Sequence, residues 1–157
     1  MRIIPVLLIL LAGVQAQERP NFSGAWVVTP ERSVWYADGK PVNITVFGER
    51  FTAEQTDQAL TVAIENERGF KWVYRLDGAS SRNVLPGQDV PQETVSAAIW
   101  NDSTLIITTV GPVNRDGKVV QVETRRTLQL NADGTLRVEA PWGPNGAMIG
   151  SVYSRLR

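Results

Sequence analysis

Arg126 and Glu49 are the side chains of this sequence whose placement could do chemistry in an apolar setting. Arg126 alternates with Val120, Val122, Thr124, Leu128 and Leu130, so it shares their face if 118–130 is a strand. A guanidinium held there is costly unless it is paired or wet. Its planar fork matches a carboxylate or a phosphate. The competing expectation is a bulge that shifts the register and leaves Arg125 or Arg126 facing solvent near a rim. Glu49 stands between Phe47 and Phe51 and faces inward if they do. Desolvation would then raise its pKa, which suits a general acid or base. A bulge at Gly48 would turn Glu49 outward, and glycine's habits in strands favour that reading.

Absent residue types narrow the chemistry further. The chain has no cysteine and no histidine, which excludes Ser-His-Asp and Cys-His catalysis. Zinc, haem and copper sites lose their usual ligands, so no metal and no cofactor is expected. Any general base must be a carboxylate, a lysine or a tyrosine. Glu93, Asp77 and Asp89 read more simply as turn or surface residues.

Aromatic residues are the candidate lining of a binding site. Phe70, Trp72 and Tyr74 form a stripe at period two, and Trp100 is placed to face the same interior. Such stripes more often fill a core than line a pocket. Trp35, Tyr36 and Trp142 fall in segments read as loops, where they would frame the rim of a ligand site.

The elements that must position these residues are strands. After residue 16 the hydrophobic pattern has period two, and turn residues recur at short intervals. Strands are expected at 22–29, 44–55, 60–66, 69–76, 93–100, 104–110, 118–130, 135–140 and 149–156. Glu67-Arg68-Gly69, Asp77-Gly78, Asn101-Asp102, Asp116-Gly117 and Asp133-Gly134 supply the positive φ that tight hairpins require. Each strand has one apolar and one polar face, as an antiparallel sheet allows. Eight or nine sequential strands of this kind favour an all-β, up-and-down antiparallel barrel, which removes exposed edges. A β-sandwich is the alternative. Segments 31–41, 77–92 and 140–148 are the expected long connections, where function often resides.

The ends define one domain. Met1-Arg2, an apolar run from Ile3 to Val14 and Val14-Gln15-Ala16 form the pattern of a signal peptide cleaved near Ala16. The run is shorter than the roughly 20 apolar residues that cross a bilayer, so no membrane anchor is expected. Residues 17–157 then form a single domain, secreted or periplasmic. Arg2 is the one charged residue of the leader, leaving 15 basic and 16 acidic residues. That balance gives no electrostatic footprint for nucleic acid.

The stretches Asn21-Phe22-Ser23-Gly24-Ala25-Trp26 and Val152-Tyr153-Ser154-Arg155 carry a resemblance. A Gly-x-Trp in the first strand with an arginine in the last is similar to the signature of the calycins, the lipocalins, fatty-acid-binding proteins and their relatives. The resemblance implies that Trp26 closes the base of a barrel, that Arg155 packs across its ring, and that Gly24 belongs to the same motif. The Thr-Asp-Tyr segment, the cysteines and the C-terminal helix of lipocalins are missing. Further stretches resemble small exported lipocalin-like proteins of acidobacteria and related soil bacteria. They are Tyr74-Arg75-Leu76-Asp77-Gly78, Ile99 to Thr108, and Arg126-Thr127-Leu128-Gln129-Leu130 with Asp133-Gly134. That likeness implies a fold and an exported location, and no reaction.

Three functions stand as expectations. The first is a barrel that binds a small apolar or amphipathic ligand through Trp72, Tyr74, Trp100 and Arg126, with Trp35, Tyr36 and Trp142 at its mouth. The second is a barrel enzyme (an isomerase, cyclase or hydrolase) using a buried carboxylate such as Glu49 with Arg126. The third is a structural or inhibitory envelope protein whose barrel is filled.

Overall fold

The period-two segments form strands along the chain in a computed structural model, which describes residues 19–33, 35–37, 40–42, 45–65, 69–85, 92–142 and 147–157. The expected leader, 1–16, lies outside them. In chain order the strands are β1 (Gly24–Val28), β2 (Trp35–Ala37), β3 (Lys40–Val42), β4 (Arg50–Gln55), β5 (Ala59–Ile64) and β6 (Lys71–Arg75). They continue as β7 (Ser81–Leu85), β8 (Gln92–Asn101), β9 (Thr104–Arg115), β10 (Lys118–Leu130), β11 (Leu136–Trp142) and β12 (Ala147–Arg155). A 3-10 turn at Pro30–Arg32 follows β1.

Ten strands form one antiparallel sheet in the order β6-β5-β4-β1-β12-β11-β10-β9-β8-β7, and β2 pairs with β3 as a separate ribbon. Chain neighbours are sheet neighbours apart from the β2–β3 excursion and the β6–β7 step, and β1 joins the two ends of the chain by pairing with β12. The two end strands of the sheet, β6 and β7, lie side by side, so the sheet curls into a nearly closed up-and-down barrel. No backbone ladder joins that pair. Instead the Val73 amide donates to Asn83 Oδ1 at 2.7 Å, Asn83 Nδ2 donates to the Val73 carbonyl at 3.1 Å, and the Arg75 amide donates to Ser81 Oγ at 2.7 Å.

Ten strands replace the eight or nine expected. The extra one is β7, inside the 77–92 segment taken as a long connection. Its inward residues, Ser81 and Asn83, are buried and polar, so the alternation that marks a half-buried strand is inverted there. The 31–41 segment likewise holds the β2–β3 ribbon. Strand β4 starts later than expected because Gly48 has φ 76° and ends the extended run. The hairpin glycines do adopt the positive φ their turns require, with Gly78 at 85° and Gly134 at 79°.

Alternation sets the interior. Phe22, Trp26, Phe51, Leu60, Val62, Tyr74, Leu105, Ile107, Leu128, Leu136, Val138 and Tyr153 are buried in one cluster. Lys71, Arg75, Arg82, Glu93, Gln121, Glu123 and Arg125 occupy the opposite phase and are exposed. Among the described residues no helix is long and apolar enough to cross a membrane.

The base of the barrel closes around β1. Arg155 is the register partner of Trp26, and its guanidinium carbon lies 4.8 Å from the Trp26 ring centroid. Trp26 is fully buried and donates its indole N–H to the Phe22 carbonyl at 2.9 Å. Gly24 has φ 143°, and a Cβ there would stand 3.3 Å from Arg155 Nε. The bare backbone at Gly24 is what lets the arginine stem cross to the indole. Gly24→Ala is therefore expected to cost about 1–3 kcal/mol through backbone strain. Arg155→Ala should cost about 1 kcal/mol through the lost cation–π contact. Urea unfolding measures both, and wild-type midpoints in both variants would remove this account of the base.

The turn before β11 carries a pH dependence. The Thr135 hydroxyl, then its amide, then Arg32 lower the Asp133 pKa from 3.8 to about 2. A lowered folded-state pKa adds stability above the unfolded value, and this is lost as pH falls through the folded one. Loss of stability between about pH 4 and pH 2 should be shallower in Asp133→Asn, as read from urea midpoints across that range.

Candidate functional site

Arg126 lies inside. The β9–β10 ladder runs without a break from Lys118 opposite Arg115 to Leu128 opposite Leu105, placing Arg126 opposite Ile107. Ile107 in turn faces Ala98 across the β8–β9 ladder. Both of these neighbours are buried, Arg126 is half-buried and Arg125 is exposed. No bulge intervenes, so the guanidinium projects into the barrel above a floor of packed side chains.

Aromatic rings receive it. The guanidinium carbon is 5.9 Å from the Phe47 centroid and 6.0 Å from that of Trp72. These rings belong to a connected set, with Phe70 5.6 Å from Trp72, Phe47 6.4 Å from Trp72 and Phe51 5.2 Å from Phe47. Distances near 6 Å from a ring face are within the reach of cation–π attraction. They do not replace the hydrogen bonds that the five N–H donors of a guanidinium demand.

No carboxylate supplies them among the described residues. Arg32, Arg75, Arg82 and Arg137 pair with Asp133, Asp77, Glu93 and Glu139 on the outer surface. Arg126 is in none of these pairs. Beside it the buried Tyr74 hydroxyl lacks a well-formed hydrogen bond and faces the Arg126 guanidinium. Burial pushes the Tyr74 pKa up, and the charge of Arg126 and its side-chain hydrogen bonding to the phenol offset part of that rise. The site is thus a cation in no ion pair among the described residues, with a buried phenol beside it, facing one aromatic wall.

Phe47 reaches the site because β12 holds its segment. The Phe47 amide donates to Tyr153 Oη at 3.0 Å, and that hydroxyl donates to the Gly48 carbonyl at 3.2 Å. The Val46 amide donates to Ser151 Oγ at 3.1 Å. With Phe47 and Phe51 buried on either side of a left-handed glycine, Glu49 is turned out and exposed. That is the outward placement favoured from Gly48: the alternative acid–base pair of Glu49 and Arg126 does not assemble, and no ion pair joins them.

Of the residues proposed as ligand contacts, Trp72, Tyr74 and Arg126 converge. Trp100 does not join them. It stacks on Phe22 at 5.7 Å, lies under Arg19 at 5.7 Å and shares an outer cleft of about 410 Å³ with Asp57 and Leu76. It therefore belongs to the base, one inward row below Arg126. The side chains of Trp35, Tyr36 and Trp142 lie outside the described residues. Phe47 was missed as a site residue because the same glycine that redirects Glu49 breaks the alternation that would have revealed it.

The fold and site together define an all-antiparallel, nearly closed β-barrel with an arginine inside, an architecture consistent with a calycin-like fold. The chain matches no family model, no curated protein and no solved structure.

The tyrosines give a direct check on this interior. Burial raises the pKa of both Tyr74 and Tyr153. A raised phenol pKa adds stability that is present below pH 10 and lost as pH climbs through the folded value. Phenolate absorbance is expected to show these two of the three tyrosines ionising above the ordinary range, together with alkaline unfolding. A normal titration near pH 10 for all three would contradict the packing described.

Proposed function

We propose that this is an exported, lipocalin-like protein that binds a small amphipathic molecule, with the anionic group of the ligand at Arg126 and its apolar body against Trp72. The observation that carries the reading is the half-buried guanidinium with no carboxylate partner among the described residues. A cation in such a place is stabilised by an anion, and an Arg fork binds carboxylate or phosphate with two hydrogen bonds. The buried Tyr74 hydroxyl lies behind the guanidinium and faces it. Nothing in this chemistry requires a covalent step, which suits a chain without histidine or cysteine.

The packed base limits where the ligand sits. Trp26, Phe51, Leu60, Leu105, Leu128 and Tyr153 are at most 1% exposed, so the ligand occupies the half of the barrel above them. Secretion or a periplasmic location after cleavage near Ala16 is part of the same proposal and rests on the pattern of the first sixteen residues.

A filled, structural barrel that acts through a partner is the second reading. It is favoured by Val113, Val119 and Val120, which are 42%, 66% and 36% exposed on the long β9–β10 hairpin.

Two fluorescent probes separate the readings. Anilinonaphthalene sulfonate carries a negative charge, and N-phenylnaphthylamine is its neutral counterpart. The protein is expected to prefer the anion, and Arg126→Leu should reduce that preference by about ten- to a hundredfold, the worth of charge-assisted hydrogen bonds. The same variant should be as stable as the wild type or more so, because an apolar side chain replaces an unpaired buried charge. Equal binding of both probes by wild type and variant, with a lowered stability of the variant, would favour the filled barrel.

A further inference from the structure

The seam between β6 and β7 stands apart from the other joints of the barrel. Elsewhere adjacent strands share a backbone ladder, including five register pairs between β5 and β6 and five between β7 and β8. Across the seam the bonds come from two side chains. Asn83 uses its carboxamide as a substitute peptide group, accepting from the Val73 amide and donating to the Val73 carbonyl. Ser81 accepts from the Arg75 amide. Parting β6 from β7 therefore breaks side-chain hydrogen bonds and no strand pairing.

The seam also borders the site. Trp72 and Tyr74, the residues on either side of Val73, carry the aromatic wall and the buried phenol that face Arg126. Outward movement of β6 would draw that wall away from the guanidinium. On the outer surface Lys71, Val73 and Arg75 of β6 and Arg82 and Val84 of β7 are exposed. Movement of either strand thus strips no packed outer layer among the described residues.

Resting on the reading of Arg126 as a ligand site, we propose that the β6–β7 seam is the gate through which the ligand reaches and leaves that site, with Asn83 as its latch. Asn83 is a positioning residue in this scheme, holding β6 closed without touching the ligand. Local openings of this kind occur where backbone groups are held by few bonds.

Stopped-flow binding of anilinonaphthalene sulfonate to the full mature protein tests the gate. Asn83→Ala should raise the association and dissociation rates together by about tenfold, leaving Kd within about twofold. Amide exchange at Val73 should accelerate by a similar factor. Asn83→Asp keeps the acceptor for the Val73 amide and loses the donor, so its rates should fall between those of wild type and Asn83→Ala. Ser81→Ala, which removes the single bond to Arg75, provides the same test should Asn83→Ala fail to fold. Faster exchange at Val73 with unchanged probe rates would overturn the gate while leaving the binding site standing. Failure of the wild type to bind the probe would overturn the site and the gate with it.

Discussion

A guanidinium inside an apolar barrel is the constraint on which the rest of this structure turns. Desolvating a charge costs several kcal/mol unless an opposite charge or water compensates. Four surface arginines, Arg32, Arg75, Arg82 and Arg137, pair with carboxylates and the other exposed ones face water, whereas Arg126 is half-buried over Phe47 and Trp72. Those rings attract a cation weakly and do not neutralise its charge. A chain that kept Arg126 for stability alone would do better with leucine, the residue two positions on in the same strand phase. The placement makes physical sense when an anion completes it.

Other inward polar groups have a different role. Tyr153 and Ser151 supply oxygens to the backbone at Phe47, Gly48 and Val46. Ser33 accepts from the Val152 amide at 2.9 Å, and Asn83 and Ser81 serve β6. Each completes the hydrogen bonding of a backbone segment where the ladder stops, because buried peptide groups left unpaired are costly. These residues are satisfied by the fold itself. Arg126 completes no backbone ladder and is in no ion pair among the described residues, which sets it apart from them; the buried Trp100 indole N–H, also without a partner, lies in the base and not at this site.

Much of the barrel was legible because a two-residue period maps directly onto inside and outside. Trp72 and Tyr74 could be placed inward from their neighbours alone, whereas Arg126 stayed open between an inward and a rim position until the uninterrupted β9–β10 ladder excluded the bulge. The positive φ of Gly48, which turns Glu49 outward, was also legible from the glycine itself. Ser81 and Asn83 were not, because they are polar on the inward face where they replace a ladder, so β7 had no apolar signal to read. Trp100 kept its inward phase, but its height along the barrel depends on strand register, which alternation does not encode. That height puts it among Phe22 and Arg19 at the base.

The most direct measurement is native mass spectrometry of the protein purified from its own host, beside an Arg126→Leu variant prepared in the same way. An anion-completed site predicts a retained small acidic molecule on the wild type and its loss from the variant. A bare chain mass for both, or the same adduct on both, would contradict the assignment of Arg126 as the anchor.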